Sequence, residues 1–248
     1  MKNLSIVICL LMIPLLAFTP EDGKERYVWG YSGLSLREEA KLGSKRLTVI
    51  PYGDKVEFLR IPTKVNPFEI EEFPLFSVKG RWVMVEYKGM QGFVFDGYLG
   101  MFPPMEKCSS EKDCQEFESI LSYFRRVFEV QTEGVKKMKF EEGYVVDEPY
   151  ALYTNGVSYR TEARMDRPDH IHIEIPKSVM SMEEVYLMFY TAVRNSQMWE
   201  EGKRPDTIEQ SVEKGWRINL VGFTMGSLEV EIEETEINYR IRAVYVGC

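Results

Sequence analysis

The stretch RWVMVEYKGMQGFVFDGYL, residues 81–99, decides the fold of the first part of the chain. In Trp82–Tyr87 one parity carries Val83, Val85 and Tyr87 and the other Trp82, Met84 and Glu86, as in a strand with one fully buried face. Lys88-Gly-Met-Gln is a turn signal, and Gly92–Phe95 reads as the returning strand. Upstream, Leu47–Ile50 and Lys55–Leu59 are rich in β-branched and aromatic residues. Pro51-Tyr-Gly-Asp separates them, and Val78-Lys-Gly-Arg punctuates the approach to Trp82. No amphipathic helix of useful length occurs between Tyr27 and Phe102. Several short strands in about 75 residues predict a small all-β barrel.

Three ordered blocks carry a resemblance: Gly33–Arg37 (GLSLR), Thr48–Phe58 (TVIPYGDKVEF) and Arg81–Leu99. Together they resemble the signature blocks of the bacterial SH3-like domain, over residues 27–102. Two features depart from that pattern. Ala40 stands where the family usually has a proline after its arginine turn, and Arg60–Phe76 is longer than the usual connection between the middle strands. The insertion holds Pro62, Pro67 and Pro74 with Phe68, Phe73 and Phe76, so it is expected to be an ordered extended loop covering apolar surface. The resemblance implies a binding or spacer module of exported bacterial proteins, often beside cell-wall enzymes, with peptidoglycan or protein segments as ligands. It does not imply catalysis. Tyr31, Trp82, Phe93 and Tyr98 are the candidate ligand-binding aromatics, with Phe95 beside them; the competing role for each is core packing.

At the N-terminus, Lys2 precedes the apolar run Leu4–Phe18, and Glu21-Asp22-Gly23 follows. This is the layout of a secretory signal peptide, expected over residues 1–19. The run is shorter than the roughly 20 apolar residues of a membrane span and is broken by Pro14. Removing it deletes one lysine and no acid, taking the formal charge from -8 to -9. An acidic balance repels polyanions, so no nucleic-acid partner is expected. The expected location is periplasmic or extracellular, with no membrane span after cleavage. Cys108, Cys114 and Cys248 then remain, and Cys108-Ser-Ser-Glu-Lys-Asp-Cys114 reads as a small disulfide loop.

Residues 108–248 change pattern and predict an α+β domain. Phe117, Ile120, Leu121, Phe124, Val127 and Phe128 follow helical spacing, predicting a helix over 113–129 behind the capping box Ser110–Asp113. A second capping box, Ser181-Met-Glu-Glu184, opens a helix to about Asn195. Asp206–Lys214 suggests a shorter third helix. Strands are expected at Tyr144–Val146, Ala151–Tyr153, Val157–Met165 and His170–Ile175. At the end of the chain, Leu228, Val230 and Ile232 alternate with glutamates, and Ile237, Tyr239, Ile241 and Ala243 alternate with Asn238, Arg240 and Arg242. Antiparallel pairing with residue numbers summing to 471 sets Val230 against Ile241, Ile232 against Tyr239, Glu229 against Arg242 and Glu231 against Arg240. With Trp216–Phe223 as the preceding strand, the chain ends in an antiparallel meander.

The chemistry is sparse. Both histidines lie in Asp169-His-Ile-His-Ile-Glu-Ile175, where His170, His172 and Glu174 share one strand face. Two imidazoles and a carboxylate can meet a divalent metal, but three side chains in a row on one strand splay, and a half-buried strand with a polar outer face is the favoured reading. Cell-wall cysteine peptidases of the NlpC type often follow SH3-like domains, with Asp-Cys at a helix start and a histidine on a later strand. Asp113-Cys114 with His170 or His172 imitates that order. Against it, bulky Gln115 and Glu116 follow the thiol, acids flank it, and Cys108 is near enough to consume it; acidic neighbours raise a thiol pKa. No Gly-rich phosphate loop, Walker motif, Cys-x-x-Cys pair or Gly-x-Ser-x-Gly elbow is present. The expectation is a two-domain envelope protein, an SH3-like barrel followed by an α+β domain, binding a cell-wall component or envelope protein. No cofactor, metal or catalytic residue is expected; the peptidase and a metal site at His170, His172 and Glu174 are the alternatives.

Overall fold

The computed structural model describes residues 25–63, 65–73, 76–107, 120–141, 143–163, 170–196, 207–211, 215–222 and 226–247. The first part contains β1 (Glu25–Val28), β2 (Leu34–Arg37), β3 (Arg46–Ile50), β4 (Lys55–Arg60), β5 (Phe68–Phe73), β6 (Phe76–Gly80), β7 (Trp82–Tyr87), β8 (Met90–Phe95) and β9 (Leu99–Gly100). Seven of them form one antiparallel sheet in the order β3-β2-β8-β7-β4-β1-β9. The parity of residues 82–87 does what the alternation requires: Val83 and Val85 are fully buried with Val28, Leu36, Ile50 and Val94. The Pro-rich connection differs from the expected loop, because its second half enters the separate β5–β6 hairpin. Its covering role stands. The Phe68 ring lies 4.6 Å from Phe95 and 5.6 Å from Trp82.

The second part contains α1 (Ile120–Val127), β10 (Val130–Lys139), β11 (Val145–Tyr153), β12 (Ser158–Glu162), β13 (His170–Pro176), α2 (Met182–Ser196), β14 (Thr207–Ser211), β15 (Gly215–Gly222), β16 (Gly226–Glu234) and β17 (Asn238–Gly247). Its strands form one antiparallel sheet in the order β10-β11-β12-β13-β17-β16-β15-β14. Ile120 and Phe124 of α1 are buried as their spacing demands. The beginning of the expected helix, its capping box and the Cys108–Cys114 pair lie outside the described residues, as do Cys248 and the signal-like segment. No described helix is long and apolar enough to cross a membrane.

Three corrections concern this second sheet. Where a third helix is expected over Asp206–Lys214, the described residues 207–211 form β14 instead, paired from Thr207 with Asn219 to Ser211 with Gly215. A short segment with weak helical signal gains more from a ready-made neighbouring ladder than from an isolated turn of helix. β10 has no expected counterpart, because its residues are mostly exposed and carry no apolar alternation. It forms by pairing with β11 through a long hairpin. β11 in turn runs through Pro149, where the sequence suggested two separate strands; β12 pairs only from Tyr150 onward, so proline removes no ladder bond on that side.

The terminal hairpin keeps the expected faces but not the expected partners. Val230 opposes Ala243, Ile232 opposes Ile241, Glu231 opposes Arg242 and Glu233 opposes Arg240, each pair summing to 473. A slip of two residues preserves parity, so alternation cannot distinguish the two registers. The turn decides. Thr235 Oγ1 accepts from the Asn238 N–H at 2.9 Å and donates to the Asn238 carbonyl at 2.8 Å, closing a four-residue loop.

A continuous buried cluster joins the two sheets, running from Trp29, Trp82, Phe95 and Met105 through Tyr123 and Phe124 to Tyr153, Phe189, Ile173 and Ile241. The terminal register can be checked by crosslinking. Cysteines introduced together at Glu231 and Arg242 should oxidise to a disulfide, since opposed residues sit about 5 Å apart at Cα, whereas cysteines at Glu231 and Arg240 should not. The reverse outcome in non-reducing mass spectrometry would restore the sum of 471.

Candidate functional site

Besides Trp82 and Phe95 in the shared core, aromatic side chains from the segments after β1 and β3 meet the rest of the protein. Trp29 is 1% exposed, and its indole N–H donates to the Phe102 carbonyl at 2.8 Å. The Tyr52 hydroxyl donates to the Met105 carbonyl at 2.7 Å and meets the Thr191 hydroxyl of α2 at 3.2 Å. Tyr31 packs on Tyr52 at 5.8 Å between ring centres and edge-on against Tyr190 of α2 at 5.9 Å. The Lys107 ammonium lies 4.0 Å from the Tyr31 ring centre and 4.2 Å from that of Tyr52, and donates to the Tyr31 carbonyl. Such cation–π contacts gain strength where water is excluded. The segment 101–107 is thus strapped across this aromatic face.

Glu184 fastens the other end. The capping box forms as its spacing demands: Ser181 N–H donates to Glu184 Oε2 at 2.9 Å, and Glu184 N–H donates to Ser181 Oγ at 3.2 Å. The second carboxylate oxygen, Oε1, accepts from the Met101 N–H at 2.7 Å, tying the helix start to the segment after β9. Gly100 is the residue that permits this approach. A Cβ there would fall 2.2 Å from Trp29 Nε1 and 2.9 Å from Glu184 Oε1. Burial pushes the Glu184 carboxyl above its ordinary value of 4.5, against the opposing effect of the N–H groups of Ser181 and Met101.

Beside this joint opens a cleft of about 380 Å³, lined by Pro67, Lys79, Arg81 and Asp96 of the first part and by Ser181 and Glu183 at the start of α2. Asp96 shapes it. Its Oδ1 accepts from the Arg81 N–H at 2.7 Å, and Oδ2 lies 3.4 Å from Arg81 Nε. Lys79 is 3.7 Å from Glu69 and largely exposed. Two cations and two carboxylates therefore face the same opening.

Residues 32–100 match the bacterial SH3 domain. The match coincides with the three blocks read from the sequence and covers six of the seven strands of the first sheet, with Tyr52, Arg81 and Asp96 in their connections. No curated protein and no solved structure matches the chain. Of the four aromatics singled out on the SH3 domain, Tyr31 stands at the joint described above. Trp82 is 6% exposed beneath Phe68. Phe93 is half-buried on β8, and Tyr98 is half-buried with its ring edge-on to Phe95 at 5.4 Å. None of the four lines the cleft described above. Sequence reading passed over Trp29, Tyr52 and Lys107, and assigned Glu184 only its capping role; Tyr52 sat inside a turn signal, and nothing local marks its hydroxyl as reaching α2.

The histidines occupy the second sheet. His170 is buried, and its Nδ1 accepts from Arg242 Nε at 3.1 Å; His172 Nε2 lies 3.1 Å from Glu162 Oε2. The two rings are 6.3 Å apart, and Glu174 lies 3.6 Å from Arg240. The polar face expected of this strand is therefore present, but His170 is covered rather than open to solvent. Among the described residues no group of three His, Cys, Asp or Glu side chains is placed to hold a metal. Burial, then the positive charge of Arg160, push His172 below its ordinary pKa, with Glu162 opposing.

Two outcomes test the joint. Gly100→Ala should lower stability by about 2–4 kcal/mol, since its neighbours are a buried indole and a buried carboxylate; an unchanged denaturation midpoint would show that the contact is slack. Glu184 adds a pH dependence. The folded state holds its proton more tightly than the unfolded chain, so its contribution is full below the ordinary carboxylate value and is lost as pH rises through the raised one. The melting temperature of the wild type relative to Glu184→Gln should therefore fall as the pH rises from the ordinary carboxylate value through the raised one. A constant difference would contradict the raised pKa.

Proposed function

We propose that this is an exported bacterial envelope protein that binds a cell-wall component or envelope protein through its SH3 domain, without catalysis. The organisation proposed is two-part, an SH3-like barrel over residues 27–102 and an α+β partner over 108–248, with residues 1–19 as a cleaved signal. The SH3 match at residues 32–100 carries the reading. The cleft of Lys79, Arg81, Asp96 and Glu183 supports it, presenting both charge signs beside an apolar wall. That pattern suits a peptide-like ligand with carboxylate and amine groups. Tyr31, Phe93 and Tyr98 remain the proposed aromatic contacts although none of them lines that cleft, while Trp82 would contribute only if the β5–β6 hairpin lifts.

Sedimentation of the purified protein with insoluble bacterial cell wall tests this. Binding should saturate and should weaken at least about fivefold when Lys79 and Arg81 are both changed to alanine, the loss expected of two charge-assisted contacts at a partly exposed site. Retained binding in that variant would place the ligand elsewhere. Release of soluble wall fragments that disappears in Cys114→Ser would replace the reading with the cysteine-peptidase one.

A further inference from the structure

The outer face of the second sheet carries a depression of about 380 Å³ that has no part in the SH3 reading. Its floor and walls come from three strands. On β11 and β12, Tyr150 opposes Arg160 and Leu152 opposes Ser158, so a ring, a guanidinium, an aliphatic side chain and a hydroxyl meet around one point. Ser158 is the small member of its pair, and the hollow lies over it.

Two local features show how this hollow is built. Gly134 of β10 stands directly opposite Tyr150, and a Cβ there would fall 2.7 Å from the Tyr150 hydroxyl oxygen. The missing side chain lets the tyrosine ring lie across β10 and form a wall. The ring nevertheless stays 42% exposed. The second feature is Glu148, the acid of the site, which is 7% exposed. Its Oε1 accepts from the Ala163 N–H at 2.9 Å and its Oε2 lies 3.5 Å from Lys136 Nζ. Its charge is therefore engaged from both sides. Arg160 differs: it is exposed, and among the described residues no carboxylate stands within ion-pair distance of its guanidinium. The nearby imidazole of His172 faces Glu162 rather than the hollow.

We propose that this depression binds a small organic carboxylate with a flat apolar body. The Arg160 guanidinium would take the carboxylate through paired N–H donors, the geometry that makes arginine the preferred partner of planar anions. The Tyr150 ring and Leu152 would cover the apolar face, with Ser158 supplying one further hydrogen bond. The volume is within the range of about 300–1,000 Å³ typical of small-molecule sites. The aliphatic stem of Lys136 closes the β10 side and its ammonium adds a second positive charge held by Glu148.

Benzoate is a suitable probe, with acetate lacking the ring and benzyl alcohol lacking the charge. The protein has only two histidines, so the ring protons of His172 are a direct reporter in proton NMR of the tag-free full chain. Burial and then the Arg160 charge hold the His172 pKa down, and a bound carboxylate would offset that charge and move the titration upward. Saturable benzoate binding in the millimolar range is expected, weaker by about tenfold for acetate and for benzyl alcohol. Arg160→Met should weaken benzoate by at least about tenfold, Arg160→Lys by less, and Tyr150→Ala by a few-fold. Arg160 and Tyr150 lie on the exposed face, so folding is not at stake. Absence of binding at about 20 mM benzoate would overturn the proposal. So would binding that survives Arg160→Met, or binding that leaves the His172 titration unmoved.

Discussion

The meeting of Trp29, Gly100 and Glu184 is the constraint on which the remaining architecture depends. A buried indole N–H must find an acceptor, and here it finds the Phe102 carbonyl just beyond β9. A buried carboxylate must likewise be satisfied, and Glu184 divides its oxygens between the start of its own helix and the Met101 N–H. Gly100 makes both possible by leaving no side chain between them. Once Glu184 is fixed, the positions of Tyr190 and Thr191 follow, since two helical turns carry the chain about 10 Å along the axis. They arrive against Tyr31 and Tyr52.

This joint changes what the SH3 domain can offer a partner. Aromatic side chains on a small binding module suggest a ligand groove, but Trp29, Tyr31 and Tyr52 engage the chain's own segment 101–107 and α2. Hydrophobic burial and two charge-assisted contacts act together there, so the face serves cohesion. What is left open lies at the seam, where Arg81 and Asp96 meet the start of α2. A site placed at a seam is sensitive to both of its sides, and any shift of α2 against the SH3 domain alters its shape.

The second sheet separates its faces by charge pairing. Inward it gives Ile173, Val230, Ile232 and Ile241 to the shared core. Outward it sets Glu231 against Arg242 and Glu233 against Arg240. Exposed pairs of this kind contribute little stability individually, and their main effect is to disfavour registers that bring like charges together. Arg160, exposed and with no carboxylate within ion-pair distance among the described residues, gives the depression beside Tyr150 its chemical character.

The sequence by itself determined which faces of most strands are buried, where α2 begins, and the SH3 identity of residues 32–100. These depend on local periodicity, a capping box and ordered blocks, all properties of neighbouring residues. Alternation of period two could not choose between the sums 471 and 473, because both keep every apolar residue inside; the hydrogen bonds of Thr235 in the turn chose. Nor could it foresee β10 or β14, whose order comes from a neighbouring ladder rather than from their own pattern. The same limit applies to the site. Lys79, Arg81, Asp96 and Glu183 are unremarkable in the chain, and they share a cleft only because tertiary packing sets the start of α2 beside the turn after β8. Contacts between residues 80 to 140 positions apart leave no periodic trace, so only the folded structure decides them.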